Sequence, residues 1–351
     1  MKKLLVSLIA FIIVLSGCSS GDSDQVTIGV LMPTQSAQRW IQDGEYVTEL
    51  LEEKGYAVEL QYAEDNPQTQ VSQIENMITK GVDLLIVAPV DGGALTVPLS
   101  QAASANIPVI SYDRLLTNTD AVSYYVTFDN YGVGVLQANY LVEKLDLENS
   151  KDSLNLEVFA GSPDDNNAQF FYNGAMDTLK PYIESGALTV PSGQTDFETV
   201  ATLRWDAATA QTRMDNIITS NYSDKKVDVV LSPYDPITLG VISSLKSAGY
   251  SSSDLPTTTG QDADVSSVKS IIAGEQTMTI FKDTRLLAEA TVDVVEKVLN
   301  GEEPVVNNTT DYDNGNFVVP TITIEPKAVD QDNYKETLID SGYYTAEELG
   351  V

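Results

Sequence analysis

The sequence predicts an α/β protein made of two doubly wound parallel-sheet lobes. Three observations carry that prediction: short apolar runs alternate with amphipathic segments from residue 26 onward, helical stripes stop at glycines, and the cycle restarts after residue 128 of 351. Repeated strand–helix–strand units imply a parallel sheet covered on both faces. A chain of this length suits two such sheets better than one very wide one.

The elements follow in order. Residues 26–32 read as a buried strand, and Ile41, Val47, Leu50 and Leu51 then form a helical stripe that stops at Gly55. Residues 57–62 are a strand, and residues 67–80 a helix with Val71, Ile74, Met77 and Ile78 inward and Gly81 as its stop. An apolar strand at 84–88, a weaker helix at 94–105 containing Pro98, and strands at 108–112 and 123–128 complete the first cycle. The second cycle has strands at 156–160, 227–232, 257–260 and 277–281. Helices are expected near 131–145, 166–180, 206–220, 236–248 and 283–299.

Composition narrows the function. With 20 Lys+Arg against 51 Asp+Glu the formal net charge is −31, which repels phosphate backbones, so no nucleic-acid partner is expected. There is no His, which removes Ser-His-Asp triads, Cys-His pairs and His metal ligands. From residue 26 onward no Gly-x-Ser-x-Gly elbow exists, and a two-carboxylate glycosidase stays open as an enzymatic alternative. Residues 311–316 begin like a calcium loop, but its Gly315 comes one place early and Ile322 stands where a bidentate Glu belongs, so a turn is expected. Gly132-Val133-Gly134 is followed by Gln137 rather than Gly, which leaves nucleotide binding unsupported. No cofactor or metal is expected.

The N-terminus reads as an export signal. Lys2 and Lys3 precede an apolar run at 4–15, too short for an ordinary membrane span, and Ser16-Gly17-Cys18 follows. Leu15-Ser16-Gly17-Cys18 resembles a bacterial lipobox, in which the Cys is lipidated. Residues 1–17 are then a signal peptide and 18–25 a lipidated Cys with a polar tether to the membrane. Cys18 is the one cysteine, so no disulfide forms within the chain.

Ligands of doubly wound sheets bind beyond the carboxyl ends of the strands. At those ends stand Gln35, Arg39 and Trp40, then Asp91, then Asp113 and Arg114. The second half places Asp164, Asp165, Asn166, Asn167, Trp205, Tyr234, Asp235, Asp262 and Lys282 there. Carboxylates, amides and guanidinium forks can each bond two hydroxyls, and an indole suits the C–H face of a pyranose. Asp113-Arg114 could equally be a loop ion pair, and Asp165 and Asp235 could be helix caps.

The strings Arg39-Trp40, Tyr112-Asp113-Arg114, Phe128-Asp129-Asn130, Gly161-Ser162-Pro163-Asp164-Asp165-Asn166-Asn167-Ala168, Leu203-Arg204-Trp205-Asp206, Ser232-Pro233-Tyr234-Asp235, Gly260-Gln261-Asp262-Ala263 and Phe281-Lys282-Asp283 run in order across nearly the whole chain after the signal. In them the sequence resembles the monosaccharide-binding proteins of bacterial ABC importers, in the xylose-type and multiple-sugar-binding branch. The resemblance implies the type I periplasmic binding protein fold, two lobes joined by a three-strand hinge with the sugar clamped between them. The crossings are expected near 129–130, 277–282 and 318–324, giving an N-terminal lobe of 26–129 plus 282–317 and a C-terminal lobe of 130–281 plus 318–351.

Carried over by position, Arg39, Asp113, Arg114, Asn167, Asp235, Asp262 and Lys282 would bond sugar hydroxyls, with Trp40 and Trp205 sandwiching the ring. Gln35, Asp165, Asn166 and Tyr234 are further candidates; Tyr234 replaces an Asn of many relatives, and Gln35 a Lys of some. The implied role is an extracytoplasmic, monomeric, lipid-anchored receptor that hands an aldopyranose to ABC permease and ATPase subunits. Signalling to a sensor kinase or chemoreceptor is the alternative. A sugar-responsive repressor of the same core would need a basic helix-turn-helix where the export signal stands.

Overall fold

The computed structural model describes residues 25–150 and 152–351, so the expected signal peptide, Cys18 and most of the tether lie outside the described residues. The chain first forms β1 (Thr27–Met32), α1 (Gln38–Glu53), β2 (Ala57–Tyr62), α2 (Pro67–Lys80), β3 (Leu84–Val87), α3 (Thr96–Ser104), β4 (Val109–Tyr112) and β5 (Val122–Phe128). It continues through α4 (Asn130–Lys144), β6 (Leu154–Val158), α5 (Asn166–Ser185), β7 (Leu188–Thr189), α6 (Phe197–Val200), α7 (Ala207–Asn221), β8 (Val229–Leu231), α8 (Asp235–Ser247), β9 (Thr257–Thr258), α9 (Val265–Ile272) and β10 (Met278–Phe281). The last elements are α10 (Thr284–Leu299), β11 (Thr321–Ile324), β12 (Lys327–Asp330) and α11 (Ala346–Leu349).

Two parallel sheets result. The first has the order β11-β5-β4-β3-β1-β2. Its inner strands β1, β3 and β4 are mostly apolar runs because both faces are covered: Val47 of α1 and Leu287 and Val295 of α10 pack on one side, Ile74 and Met77 of α2 and Leu99 of α3 on the other. The second sheet has the order β7-β6-β8-β9, with Leu141 and Leu179 on one face and Met214 and Val241 on the other. The antiparallel pair β10–β12 joins it through a bridge between Gln261 and Ile280. Helices α4 and α5 cross at glycines: a Cβ on Gly134 would stand 2.0 Å from the Phe171 carbonyl oxygen, and one on Gly174 2.1 Å from that of Tyr131.

The chain passes between the lobes after β5, after β10 and after β11. The first two crossings lie at Asp129 and at Lys282-Asp283, where Asp129 caps α4 and Asp283 caps α10. The third lies later than expected. β11 pairs in parallel with β5, Thr321 opposite Tyr125, so 318–324 belongs with the first sheet and the return to the second lobe falls between Ile324 and Lys327. Apolar alternation identifies a strand without saying which sheet receives it.

Candidate functional site

Both sheets point their carboxyl ends into one cleft. Its cavity measures about 590 Å³ and is lined by Arg39 and Trp40 from the first turn of α1, Asp113 and Arg114 after β4, Asp165 and Asn167 at the start of α5, Trp205 before α7, Tyr234 before α8, Asp262 after β9 and Lys282 after β10. That volume lies within the range of small-molecule sites. The backbone is strained here: Asp113, Arg204, Trp205, Asp262 and Ala263 all have positive φ, between 53° and 90°, which is costly for residues other than Gly.

The floor is a charge network. Arg39 bonds Asp113 Oδ2 at 2.8 Å and Asp43 Oδ2 through Nε at 3.0 Å, and lies 3.7 Å from Asp262 Oδ1. Lys282 reaches Asp262 Oδ1 at 3.0 Å and Asp113 Oδ2 at 4.0 Å, and its ammonium sits over the rings of Phe128 and Phe171. Burial alone would push the Asp113 carboxyl up and the Arg39 guanidinium down, yet their mutual attraction wins, so Asp113 stays below its ordinary value and Arg39 above. Asp43, more deeply placed, is pushed up to about 6 chiefly by burial, although Arg39 opposes this; it accepts a hydrogen bond from the Tyr112 hydroxyl. Two cations face three carboxylates, an arrangement that suits a neutral polyol better than an anion.

The two indoles occupy different settings. Trp40 is 4% exposed, and the guanidinium carbons of Arg39 and Arg114 lie 4.4 and 5.1 Å from its ring centroid. Trp205 meets Phe171 and Tyr234 edge-on and lies against Gly161, where a Cβ would come within 1.9 Å of the indole. Its Nε1 is buried without a partner, as is Gln261 Oε1. Asp262 Oδ1 has cations nearby but no aligned hydrogen bond.

Ten of the thirteen expected cleft residues line the cavity, and Gln35, Asn166 and Asp235 do not. 

Gln35 is exposed and Asn166 half-buried, and neither lines the cavity, because the loop after β1 turns Gln35 to solvent and α5 turns its second residue inward instead. Asp235 also stands apart. It is fully buried at the start of α8, where its carboxylate accepts from Gln276 Nε2 at 2.8 Å and from the Asp264 backbone N–H at 2.9 Å, so the reading of Asp235 as a cleft residue is corrected to a structural one. Arg114, Asp165 and Asn167 line the cavity but bond mainly to protein: Arg114 Nε meets Asp165 Oδ2 at 3.0 Å, and Asn167 Nδ2 donates to the Asp113 carbonyl at 2.7 Å. Sequence reasoning missed Asp43, Asp65, Phe171 and Gln261. Asp43 had a signal, since it lies four residues after Arg39 on the same helix face; Asp65 and Gln261 stand just past the strands expected at 57–62 and 257–260, whereas Phe171, inside α5, had none. Residues 311–316 form a turn in which Asp313 accepts from the Gly315 N–H and Asn314 donates to the Thr119 carbonyl. Among the described residues no cluster of side chains is arranged to hold a metal ion, and no helix is long and apolar enough to cross a membrane.

Comparison with known proteins places this geometry. A periplasmic binding protein domain matches residues 28–303. The multiple sugar-binding periplasmic receptor ChvE of Rhizobium radiobacter is 53% identical over 93% of each chain, and the D-xylose-binding periplasmic protein of Escherichia coli is 35% identical over 93% of each. Among solved structures, an ABC transporter solute binding protein from Clostridium phytofermentans with bound β-D-glucose is 53% identical, covers 92% of this chain and 99% of its own, and superposes with a TM-score of 0.89.

Proposed function

The chain belongs to the periplasmic binding protein family, and on that footing we propose that it is the sugar-capturing component of an ABC importer, closing two lobes around a neutral monosaccharide. The observation that carries this reading is the interlobe network of Arg39, Asp113, Asp262 and Lys282. Its charges compensate within the protein and leave polar groups along the wall for hydroxyls. Relatives named for multiple sugars and for xylose, and a neighbour holding β-D-glucose, support an aldopyranose. Arg39, Asp113, Asp262 and Lys282 bond its hydroxyls, while Trp205 and Trp40 pack against its C–H faces. A ligand favours closure only by binding the closed form better, and groups drawn from both lobes provide that difference.

The work is binding rather than catalysis. Acylation at Cys18 holds the protein on the outer face of the cell membrane, where it acts as a monomer beside permease and ATPase subunits. Signalling to a sensor kinase or chemoreceptor is a second role that the same closed form could serve. Titration calorimetry against glucose, galactose, xylose, arabinose, ribose and fucose tests the reading, with Trp fluorescence following closure. Absence of heat with every sugar overturns it. Mass spectrometry of protein from the native host tests the anchor, which an unmodified mature chain would exclude.

A further inference from the structure

We propose that Asp43, gripped by the Tyr112 hydroxyl behind the cleft, is a positioning residue that holds the Arg39 guanidinium ready for sugar, and that its ionisation couples sugar affinity to pH. The inference rests on the cleft being the sugar site, and it adds a group that lies beneath that site without lining it.

Arg39 and Asp43 stand four residues apart on one face of α1, and both are buried. A guanidinium carries its N–H donors in a rigid plane, so fixing one edge fixes the rest. Asp43 Oδ2 takes that edge, 3.0 Å from Nε and 2.9 Å from NH2, while NH2 also donates to Asp113 Oδ2 at 2.8 Å. The Trp40 ring, its centroid 4.4 Å from the guanidinium carbon, covers the group. NH1 is left toward the other lobe, 3.7 Å from Asp262 Oδ1 and beyond hydrogen-bond reach of it. Asp43 is itself fixed from behind: Oδ1 accepts from the hydroxyl of Tyr112, at the end of β4, at 2.5 Å, and neither residue lines the cavity. With Asp43 neutral, attraction draws Arg39 toward Asp113 and Asp262, and NH1 is spent on Asp262 instead of on a hydroxyl.

Asp43 is 0% exposed, so a sugar adds no burial to it. The sugar does displace water from Arg39, which makes the cation lean harder on its carboxylates. Sugar therefore binds the ionised Asp43 better and releases protons near that carboxyl's value in the empty protein, which burial raises to about 6. The surrounding groups leave Asp43 as the titrating partner of Arg39. Tyr46 of α1, Tyr62 of β2, Tyr112 of β4 and Tyr343 are all pushed above the usual tyrosine value by burial and stay neutral. Asp113 is held low, β1 carries no ionisable side chain, and Asp283 and Arg285 at the start of α10 pair with each other. Asp264, in the other lobe, is raised by burial to about 7, so each variant is read against wild type.

The test uses Asp43→Asn, which keeps the side chain's shape and cannot ionise, and Tyr112→Phe, which removes only the hydroxyl. Titration calorimetry with glucose and xylose at pH 5, 6 and 7.5, in two buffers of different ionisation heat, measures affinity and counts protons. Wild type is expected to bind roughly three- to tenfold more weakly at pH 5 than at pH 7.5, and to release a fraction of a proton per sugar at pH 6. Asp43→Asn is expected to bind roughly ten- to hundredfold more weakly at pH 7.5 and to lose the share of the pH slope and proton release that Asp43 supplies. Tyr112→Phe takes a hydrogen bond from the ionised carboxylate, so the fall in affinity is expected to move to higher pH, a shift that lost packing does not produce. Affinity and proton release equal to wild type in Asp43→Asn, or a fall at the wild-type pH in Tyr112→Phe, overturns the proposal. Nitrogen-15 NMR without sugar keeps the two readings apart: the Arg39 Nε–H is expected to exchange slowly in wild type and fast in Asp43→Asn, and equal exchange overturns the positioning role. A wild type that binds no sugar overturns the sugar reading, and the exchange comparison then decides the positioning by itself.

Discussion

Replacing Lys282 by Met tests whether the cleft floor is held by its charge network. Lys282 is 4% exposed, 3.0 Å from Asp262 and 4.0 Å from Asp113. Met keeps an apolar stem near Phe128 and Phe171 and removes the ammonium, leaving Arg39 to face Asp43, Asp113 and Asp262. Breaking one side of a buried ion pair costs about 3–5 kcal/mol. The open cleft admits water, and a hydrogen bond to a charged group is then worth about 1.5–3 kcal/mol, so a loss of about 2 kcal/mol is expected. For lobes of this size that lowers Tm by roughly 4–8 °C. The pH dependence has a definite sign. Lys282 helps hold Asp113 low, and a depressed carboxyl contributes stability above its unfolded value that is lost as pH falls through the folded one. The deficit of the variant should therefore be full near neutral pH and shrink below about pH 4. Scanning calorimetry without sugar at both pH values measures this. A Tm within about 1 °C of wild type at neutral pH, where an exposed pair would leave it, refutes the argument.

Asp43 and Asp264 behave in the opposite sense. Burial pushes them up from 3.8 to about 6 and about 7, and for Asp264 the neighbouring Asp262 adds to the effect. Their contribution is full below the unfolded value and lost as pH rises through the folded ones, so Tm should rise on acidification from pH 7.5 to pH 5, with a shallower slope in Asp264→Asn; equal slopes would remove the explanation. Asp235→Asn should destabilise by about 1–3 kcal/mol through its bonds to Gln276 and the Asp264 N–H, while sugar affinity stays within about threefold of wild type. A selective loss of affinity, with Tm unchanged, would restore Asp235 to the cleft.

Strands of the first sheet were the most legible part of the chain, whether buried on both faces like β3 or half-buried at the edge like β2. The runs at 57–62 and 84–88 match β2 and β3 closely, and the glycine stop placed the end of α2 at Lys80. The two-residue β7, the four-residue α6 and α11, and β12 with its exposed Lys327 escaped, since none has an apolar run long enough to show a period. α9 escaped too, although its residues carry a clear amphipathic pattern over eight positions. Site residues at strand ends were legible because topology sends those ends to one cleft. What each side chain does there was not: Asp235 and Asp262 both follow strands and both are acidic, yet one is sealed at the start of α8 against Gln276 and the other faces Lys282. Burial of a single carboxylate depends on neighbours far away in sequence, such as Gln276, which local patterns do not report.

β11 has a consequence for how the protein is made. It is the partner of β5 in the first sheet, yet it follows the entire second lobe in the chain. A chain emerging from its N-terminus thus presents β5 with one side unpaired until nearly all of it has been delivered. Unpaired strand edges invite pairing with other chains. Early termination would accordingly leave a self-adhesive fragment instead of a half-working receptor, and the growing chain needs shielding until residue 324 has arrived.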